Sequence, residues 1–278
     1  MTKNNSLLAM TISAALLAVS PLMASENAHE KDYSTSVSKD YSTAPASHGA
    51  GGHGGSWGYQ GSTGPSHWGD LGKEFRLCKD GLMQSPIDFN HAFNAGRINL
   101  DLNYQAAQLE IENNGHTVKV SYPEGSYLSF SGQRYKLLQF HFHSPSEHTE
   151  AGGFHPMEIH FVHQADDGTL AVIGVFVDEG EENLALSEIW DHLPNHANNK
   201  QKFNKEVINA YDLIPKDVGY YRYMGSLTTP PCSEGVNWFV INQPIQASKA
   251  QIDAFKAVME GNNRPTQPVN HRLVVDLL

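Results

Sequence analysis

Two segments near the middle of the chain, "QFHFH" at 139–143 and "EIHFVH" at 158–163, alternate polar with apolar residues. A period of two puts successive side chains on opposite faces, so each segment is satisfied as a β-strand with one apolar and one polar side. In the first, Gln139, His141 and His143 share a face while Phe140 and Phe142 take the other. In the second, Glu158 and His160 share a face opposite Ile159 and Phe161, and His163, out of phase with His160, points away as a structural residue. His141 and His143 then stand about 7 Å apart at their Cα atoms, a gap one ion bridges. Antiparallel pairing of the two strands would add His160 as a third nitrogen. Three neutral imidazoles suit Zn2+ and leave its fourth position to water, which is the arrangement of a catalytic site. Gln139 and Glu158 each precede a candidate ligand by two residues on the same face, where they can hold the outer ring nitrogens. His148 and His155 fall in the connection between the strands and are expected to hydrogen-bond rather than ligate. The bland alternative, a polar face on an ordinary strand, remains open on spacing alone.

Further segments read the same way: "QLEIEN", "HTVKVSY", "YLSFSG", "YKLLQFHFH", "MEIHFVHQ", "LAVIGVFVD", "YYRYMG" and "NWFVINQPI" are alternating or continuously apolar runs. Gly, Pro, Asn and Asp separate them at short intervals, which favours antiparallel neighbours over long helical crossovers. Helices are expected only at 181–192, 205–211 and 248–259, the last opened by a Ser248 cap and closed before Gly261. The predicted class is therefore β-dominated α+β: a single domain with a large, mostly antiparallel twisted central sheet and short peripheral helices.

The N-terminus reads differently. Residues 1–24 carry one lysine, a 13-residue apolar run from Leu7 to Val19 and small residues at the end, the pattern of a signal peptide. A membrane span needs roughly 20 apolar residues, and no later run is long enough, so the mature chain is not expected to insert into a membrane. Residues 25–56, with almost no aliphatic side chains and "KDYST" repeated, read as a disordered His/Gly/Ser-rich linker, and 57–278 as the folded domain. The formal charge of −11, or −12 without Lys3, repels phosphate backbones and argues against nucleic acid as a partner. Export to the periplasm or beyond implies an oxidising compartment, where the two cysteines, Cys78 and Cys232, favour a disulfide over two free thiols.

Seven segments together are similar to the alpha class of carbonic anhydrases, in particular its secreted bacterial type: "WGYQGSTGPSHWGDL", "QSPIDF", "LQFHFHSPSEHT", "MEIHFVH", "LAVIGVFV", "SLTTPPCSEGVNWFV" and "NNRPTQPVNHR". The likeness runs in family order from Trp57 to about Arg272. It implies reversible hydration of carbon dioxide to bicarbonate and a proton, by hydroxide generated on a zinc ion held by His141, His143 and His160. It also implies that Thr228 and Glu147 orient the attacking oxygen, that Thr229 faces bicarbonate, and that Val162, Val172, Leu227, Thr228 and Trp238 line the substrate pocket. His116 matches the proton shuttle, with Asn114 and Tyr59 in its water network. Lys119 departs from the better-known animal pattern, which often has an amide there, and puts a cation beside that network. Cys78 and Cys232 match the disulfide of the secreted bacterial members.

Sulfonamides and anions are the inhibitors this resemblance implies, activated esters a plausible side substrate, and a homodimer an allowed state. A different class of reading, a periplasmic zinc-binding or buffering protein on the same fold, is motivated by the His/Gly-rich linker and the acidic charge.

Overall fold

The computed structural model describes residues 56–277 apart from 97, 99 and 217. The expected signal peptide, and all of the expected linker but Ser56, lie outside the described residues. No helix among the described residues is long and apolar enough to cross a membrane.

The strands are Phe93–Asn94 (β1), Asp101–Asn103 (β2), Ala107–Asn113 (β3), Val118–Ser121 (β4), Tyr127–Phe130 (β5), Gln133–His143 (β6), Thr149–Glu150 (β7), Gly153–Phe154 (β8), Met157–Gln164 (β9), Leu170–Glu179 (β10), Asn199–Ile208 (β11), Tyr220–Ser226 (β12), Glu234–Ala247 (β13) and Val275–Leu277 (β14). Twelve of them form one sheet in the order β1-β14-β12-β13-β10-β9-β6-β4-β3-β11, with β5 joining β6 and β2 joining β5. Among the described residues four short α-helices accompany it: Trp68–Leu71 (α1), Leu77–Asp80 (α2), Leu184–Trp190 (α3) and Lys249–Val258 (α4).

The two faces of the sheet are sorted by the period-two pattern. Phe140 and Phe142 of β6, Ile159 and Phe161 of β9, Ile173 and Val175 of β10, and Phe239 and Ile241 of β13 form the main core. Leu186 and Ile189 of α3 and Ile252 and Phe255 of α4 pack into it. The opposite face of the same strands carries a smaller apolar cluster with Val172, Trp238 and Val240, and beside it the histidines. One alternation therefore serves both stability and the site.

Every strand segment named from the sequence is present. Of the helices, 248–259 is α4, where Ser248 Oγ accepts the Gln251 N–H and the Gln251 side chain accepts the Ser248 N–H, a full capping box; 181–192 contracts to α3. The helix expected at 205–211 is absent. Residues through Ile208 continue β11, followed by a 3-10 turn at Ala210–Leu213. The reason lies across the ladder: β11 is an edge strand that bulges after Lys202 and pairs again through Val207 and Ile208, opposite Gln108 and Ala107 of β3, with Ile208 buried in the core. Pairing there wins over helical propensity, and a solvated edge strand has little apolar period to betray it.

The sheet is mostly antiparallel, as expected, and the exceptions among the described strands include its centre. β10 and β13 run parallel, as do β1 and β14. The connection between β10 and β13 holds α3, β11 and β12, long enough for the crossover a parallel pair requires.

Cys78 and Cys232 form a disulfide across 154 residues. Both pack with Trp68, and Trp57, Tyr59, Leu71 and Phe75 lie against them, so the bond pins the N-terminal segment to the loop after β12.

Candidate metal centre

In the antiparallel β6–β9 ladder His141 stands directly opposite His160, and His143 opposite Glu158. That register brings three imidazoles onto one face. One ring nitrogen from each of His141, His143 and His160 lies within 4.8 Å of the others. Each outer nitrogen has its own oxygen. His141 Nδ1 is 2.9 Å from Gln139 Oε1, His143 Nδ1 is 2.7 Å from the Asn262 carbonyl, and His160 Nε2 is 2.8 Å from Glu158 Oε1. Because these oxygens accept, the outer nitrogens carry the protons and the inner ones present lone pairs.

Burial keeps His141 and His143 in that neutral form. The pKa of His143 is pushed down to about 4, chiefly by burial. His141 is held well below the usual range by burial and then by the neighbouring His143 and His160. Two buried atoms at this spot, His143 Nε2 and Glu147 Oε2, have no hydrogen-bond partner among the described residues. Such orphans are costly. A divalent cation in front of the three nitrogens would use the first and stabilise the charge on the second, so the residues present fit zinc.

Glu147 Oε1 accepts the Arg264 N–H at 2.8 Å, while Oε2 stands 3.6 Å from His143 Nε2 and 3.8 Å from His160 Nδ1, too far for hydrogen bonds. Burial raises this carboxyl to about 7, against the opposing influence of His160, the nearby Thr228 hydroxyl and the Arg264 N–H. A bound cation acts in the same sense as those three and favours the carboxylate.

Glu158 is fully buried, and burial by itself would raise its pKa. His148 and His160 on either side instead hold it well below the usual carboxylate range. Its Oε1 meets His148 Nδ1 at 2.7 Å, and its Oε2 accepts the N–H groups of Glu147 and His148 at 2.8 and 2.9 Å. His148 Nε2 in turn stands 2.7 Å from the Tyr223 hydroxyl. His148, Glu158 and His160 thus converge as a hydrogen-bonded support in which both nitrogens of His148 are engaged away from the centre and His160 keeps Nδ1 facing it, and His148 hydrogen-bonds as the spacing suggested. Behind it, Gly174 faces His160 in the β9–β10 ladder, where a Cβ would come within 2.9 Å of Glu158 Oε1. The bare backbone makes room for the carboxylate.

The other residues singled out from the sequence also gather here. Val162, Val172 and Trp238 are neighbours across β9, β10 and β13, and with Leu227 they share one apolar cluster. Trp238 carries that wall up to the centre, its ring centroid 4.9 Å from His160. Thr228 is buried, and Thr229 in the same loop accepts the Cys232 N–H through its carbonyl at 2.8 Å. His116 stacks on Trp57 with centroids 3.8 Å apart, and burial lowers its pKa. Tyr59 packs edge-on to Trp57, and its hydroxyl pKa is raised by burial and then by the Glu147 charge, which places it within reach of the site's field. Asn114 Oδ1 is occupied by the N–H groups of His116 and Thr117, both at 2.9 Å, so its first task is to shape the turn bearing His116.

Three contributors escaped the sequence reading: Asn262, Arg264 and Gly174. Asn262 is the most connected of them. Its carbonyl meets His143, its Oδ1 accepts the Ser144 N–H at 2.9 Å, and its Nδ2 donates to the His116 carbonyl at 3.1 Å. The only signal was its place in "NNRPTQPVNHR", which says nothing of a contact 119 residues away from His143.

His163 faces away as expected, buried between Tyr104 and the Ala171 carbonyl. His155 bridges two carboxylates, Nδ1 to Asp178 at 2.7 Å and Nε2 to Glu150 at 3.3 Å, with its ring stacked on Phe176. Burial alone would lower its pKa, but the two carboxylates outweigh burial and raise it above its ordinary 6.5. Glu150 is lowered from 4.5, first by its bond to His155. The histidine's contribution to stability is therefore full below 6.5 and lost as pH rises through the raised pKa; that of Glu150 is full above 4.5 and lost as pH falls through the lowered one. We expect the gap in melting temperature between the parent and a His155→Gln variant to be largest at pH 5–6 and to close towards pH 9. A gap independent of pH would show that the ring acts by packing alone.

The family model described as eukaryotic-type carbonic anhydrase matches residues 63–277. A carbonic anhydrase of Nostoc sp. is 44% identical over 227 residues, covering 80% of this chain and 86% of the relative. Among solved structures, a hyperthermostable carbonic anhydrase from a hydrothermal vent chimney superposes with a TM-score of 0.77 at 50% identity, covering 80% of this chain and 100% of the other. The alpha-carbonic anhydrase of Thermovibrio ammonificans in complex with the inhibitor sulfanilamide gives 0.77 at 45% identity, covering 80% and 99%.

Proposed function

Since the chain belongs to the eukaryotic-type carbonic anhydrases, we propose that it catalyses the reversible hydration of carbon dioxide to bicarbonate and a proton, with zinc held by His141, His143 and His160. The observation that carries this reading is the set of three inward nitrogens, each fixed by a different oxygen behind it and faced by an unpartnered carboxylate oxygen. Zinc bound there supplies Lewis acidity, lowering the pKa of water from about 15.7 to about 7, a magnitude known for carbonic anhydrase itself and not deduced from this chain.

The protein's own groups do the rest. An ionised Glu147 accepts only, so the Thr228 hydroxyl must donate to it and keep a lone pair for the proton of the attacking water. This fixes which lone pair of that water meets carbon dioxide. Val162, Val172, Leu227 and Trp238 offer an apolar wall for an apolar substrate, with Thr229 on the bicarbonate side. His116, half-buried with a lowered pKa, is unprotonated at neutral pH and can take a proton at a ring nitrogen and pass it to solvent. Tyr59 and Asn114 border that path.

Replacing Val162 by phenylalanine should block turnover while zinc stays bound. Normal hydration by a zinc-loaded Val162→Phe protein would remove Val162 from the pocket.

We place the catalytic domain at 57–278 and the protein outside the cytosol. The disulfide supports that location, because such bonds persist in oxidising compartments. Zinc buffering would need an exchangeable site, whereas these rings are held from behind on paired strands, an arrangement suited to slow exchange. Stopped-flow hydration of carbon dioxide by the purified chain, before and after zinc removal, tests the proposal. We expect activity that is lost with the metal, restored by zinc and inhibited by sulfanilamide and by simple anions. An inactive zinc-loaded chain that surrenders its metal rapidly to a chelator would favour the buffer.

A further inference from the structure

One row of residues runs straight across the sheet from its open edge to the centre: Lys200 of β11, Glu112 of β3, Lys119 of β4, His141 of β6 and His160 of β9 are successive cross-strand partners. Directly opposed residues share a face and stand about 4.5–5.5 Å apart at their Cα atoms. The ammonium of Lys119 therefore rises from the strand next to His141, on the same side as the three rings. It is not free. Lys119 Nζ lies 3.2 Å from Glu112 Oε2, on the side away from His141, with both side chains largely covered. Glu112 is available for this because the neighbouring Glu110 takes the edge-strand lysines, Lys200 at 2.6 Å and Lys202 at 3.6 Å.

An uncompensated cation one strand from a site with an open ligand position would favour any anion in that position, including product bicarbonate. We propose that Glu112 is a positioning residue for the active site: it draws the Lys119 ammonium back along the sheet and cancels its charge, keeping the centre from retaining anions. The inference rests on the metal centre proposed above. It explains how a lysine can occupy this wall without turning it into an anion trap. Its origin is the register of three strands, so neither Glu112 nor Lys119 acts alone.

The test uses the full chain with cobalt(II) in place of zinc and follows azide binding by visible absorption, a readout independent of turnover. At about 10 mM ionic strength, where screening is weak, Glu112→Gln should tighten azide binding about threefold to tenfold. Lys119→Gln should weaken it, because it leaves Glu112 uncompensated, and the double variant should return to within about twofold of the parent. Raising the salt should shrink each difference, as it does for partly exposed charges. Unchanged azide affinity in either single variant overturns the proposal, as does equal tightening by Glu112→Gln in the Lys119→Gln background. The cobalt bands report whether each variant retains the site. A parent chain that shows this pattern but does not hydrate carbon dioxide would overturn the proposed function and leave the role of Glu112 standing. A parent that takes up no cobalt overturns both.

Discussion

Replacing His143 by alanine should leave a folded chain that binds no stoichiometric zinc and hydrates carbon dioxide no faster than solvent does. His143 is the sharpest choice because its inner nitrogen is buried and has no hydrogen-bond partner among the described residues. The structural cost is bounded. The Asn262 carbonyl loses one partner, worth about 1–3 kcal/mol, while the β6–β9 ladder and the core on the other face of the sheet are untouched. The functional cost is not bounded in that way, because two imidazoles no longer close the site. Gln139→Ala provides the contrast. It removes a support and keeps all three ligands, and should weaken zinc by about 10- to 100-fold without abolishing it. Metal content, circular dichroism and stopped-flow hydration on the two variants separate ligand from support. A His143→Ala protein with full zinc and full turnover would refute the three-histidine centre.

The second large effect is expected on stability. Changing both Cys78 and Cys232 to serine releases a closure of 154 residues, worth about 5 kcal/mol in the chain-entropy model. At about 2–4 °C per kcal/mol for a domain of this size, the melting temperature should fall by about 10–20 °C, less where the unfolded chain stays compact. The loss should reach the site as well. Cys232 lies in the loop that carries Thr228 and Thr229, and its carbonyl accepts a hydrogen bond from Gln84 Nε2 at 3.0 Å. The Cys78 carbonyl accepts from Arg264 Nη2 at 2.8 Å, and Arg264 is the residue whose N–H holds Glu147. Loosening this cluster also frees Trp57 from its place against His116. Calorimetry and hydration rates on the double variant check both parts, and an unchanged melting temperature with unchanged activity would contradict them.

The support behind the rings shows where sequence reasoning reached and where it stopped. Gln139 and Glu158 were legible because each lies two residues from a candidate ligand on its own strand, a distance set by strand geometry alone. Asn262 does the same work for His143 and was invisible, since it arrives from a loop 119 residues away. Gly174 was equally hidden: its role is an absence of side chain, meaningful only once β10 lies beside Glu158. The end of the edge strand β11 was hidden because its pairing resumes past a bulge, at Val207 and Ile208, where no regular period marks it.

Alternation, spacing and cysteine count, all properties of neighbouring or few residues, were enough to point to the strands, to a shared face for the candidate histidines and to a disulfide, because side-chain direction along a strand follows from the backbone. Strand order, the parallel β10–β13 pair and the register that sets His141 opposite His160 and Lys119 opposite His141 were decided only by the folded sheet. Those depend on which surfaces bury one another across long stretches of chain, and burial is a free energy of the whole core rather than of any segment.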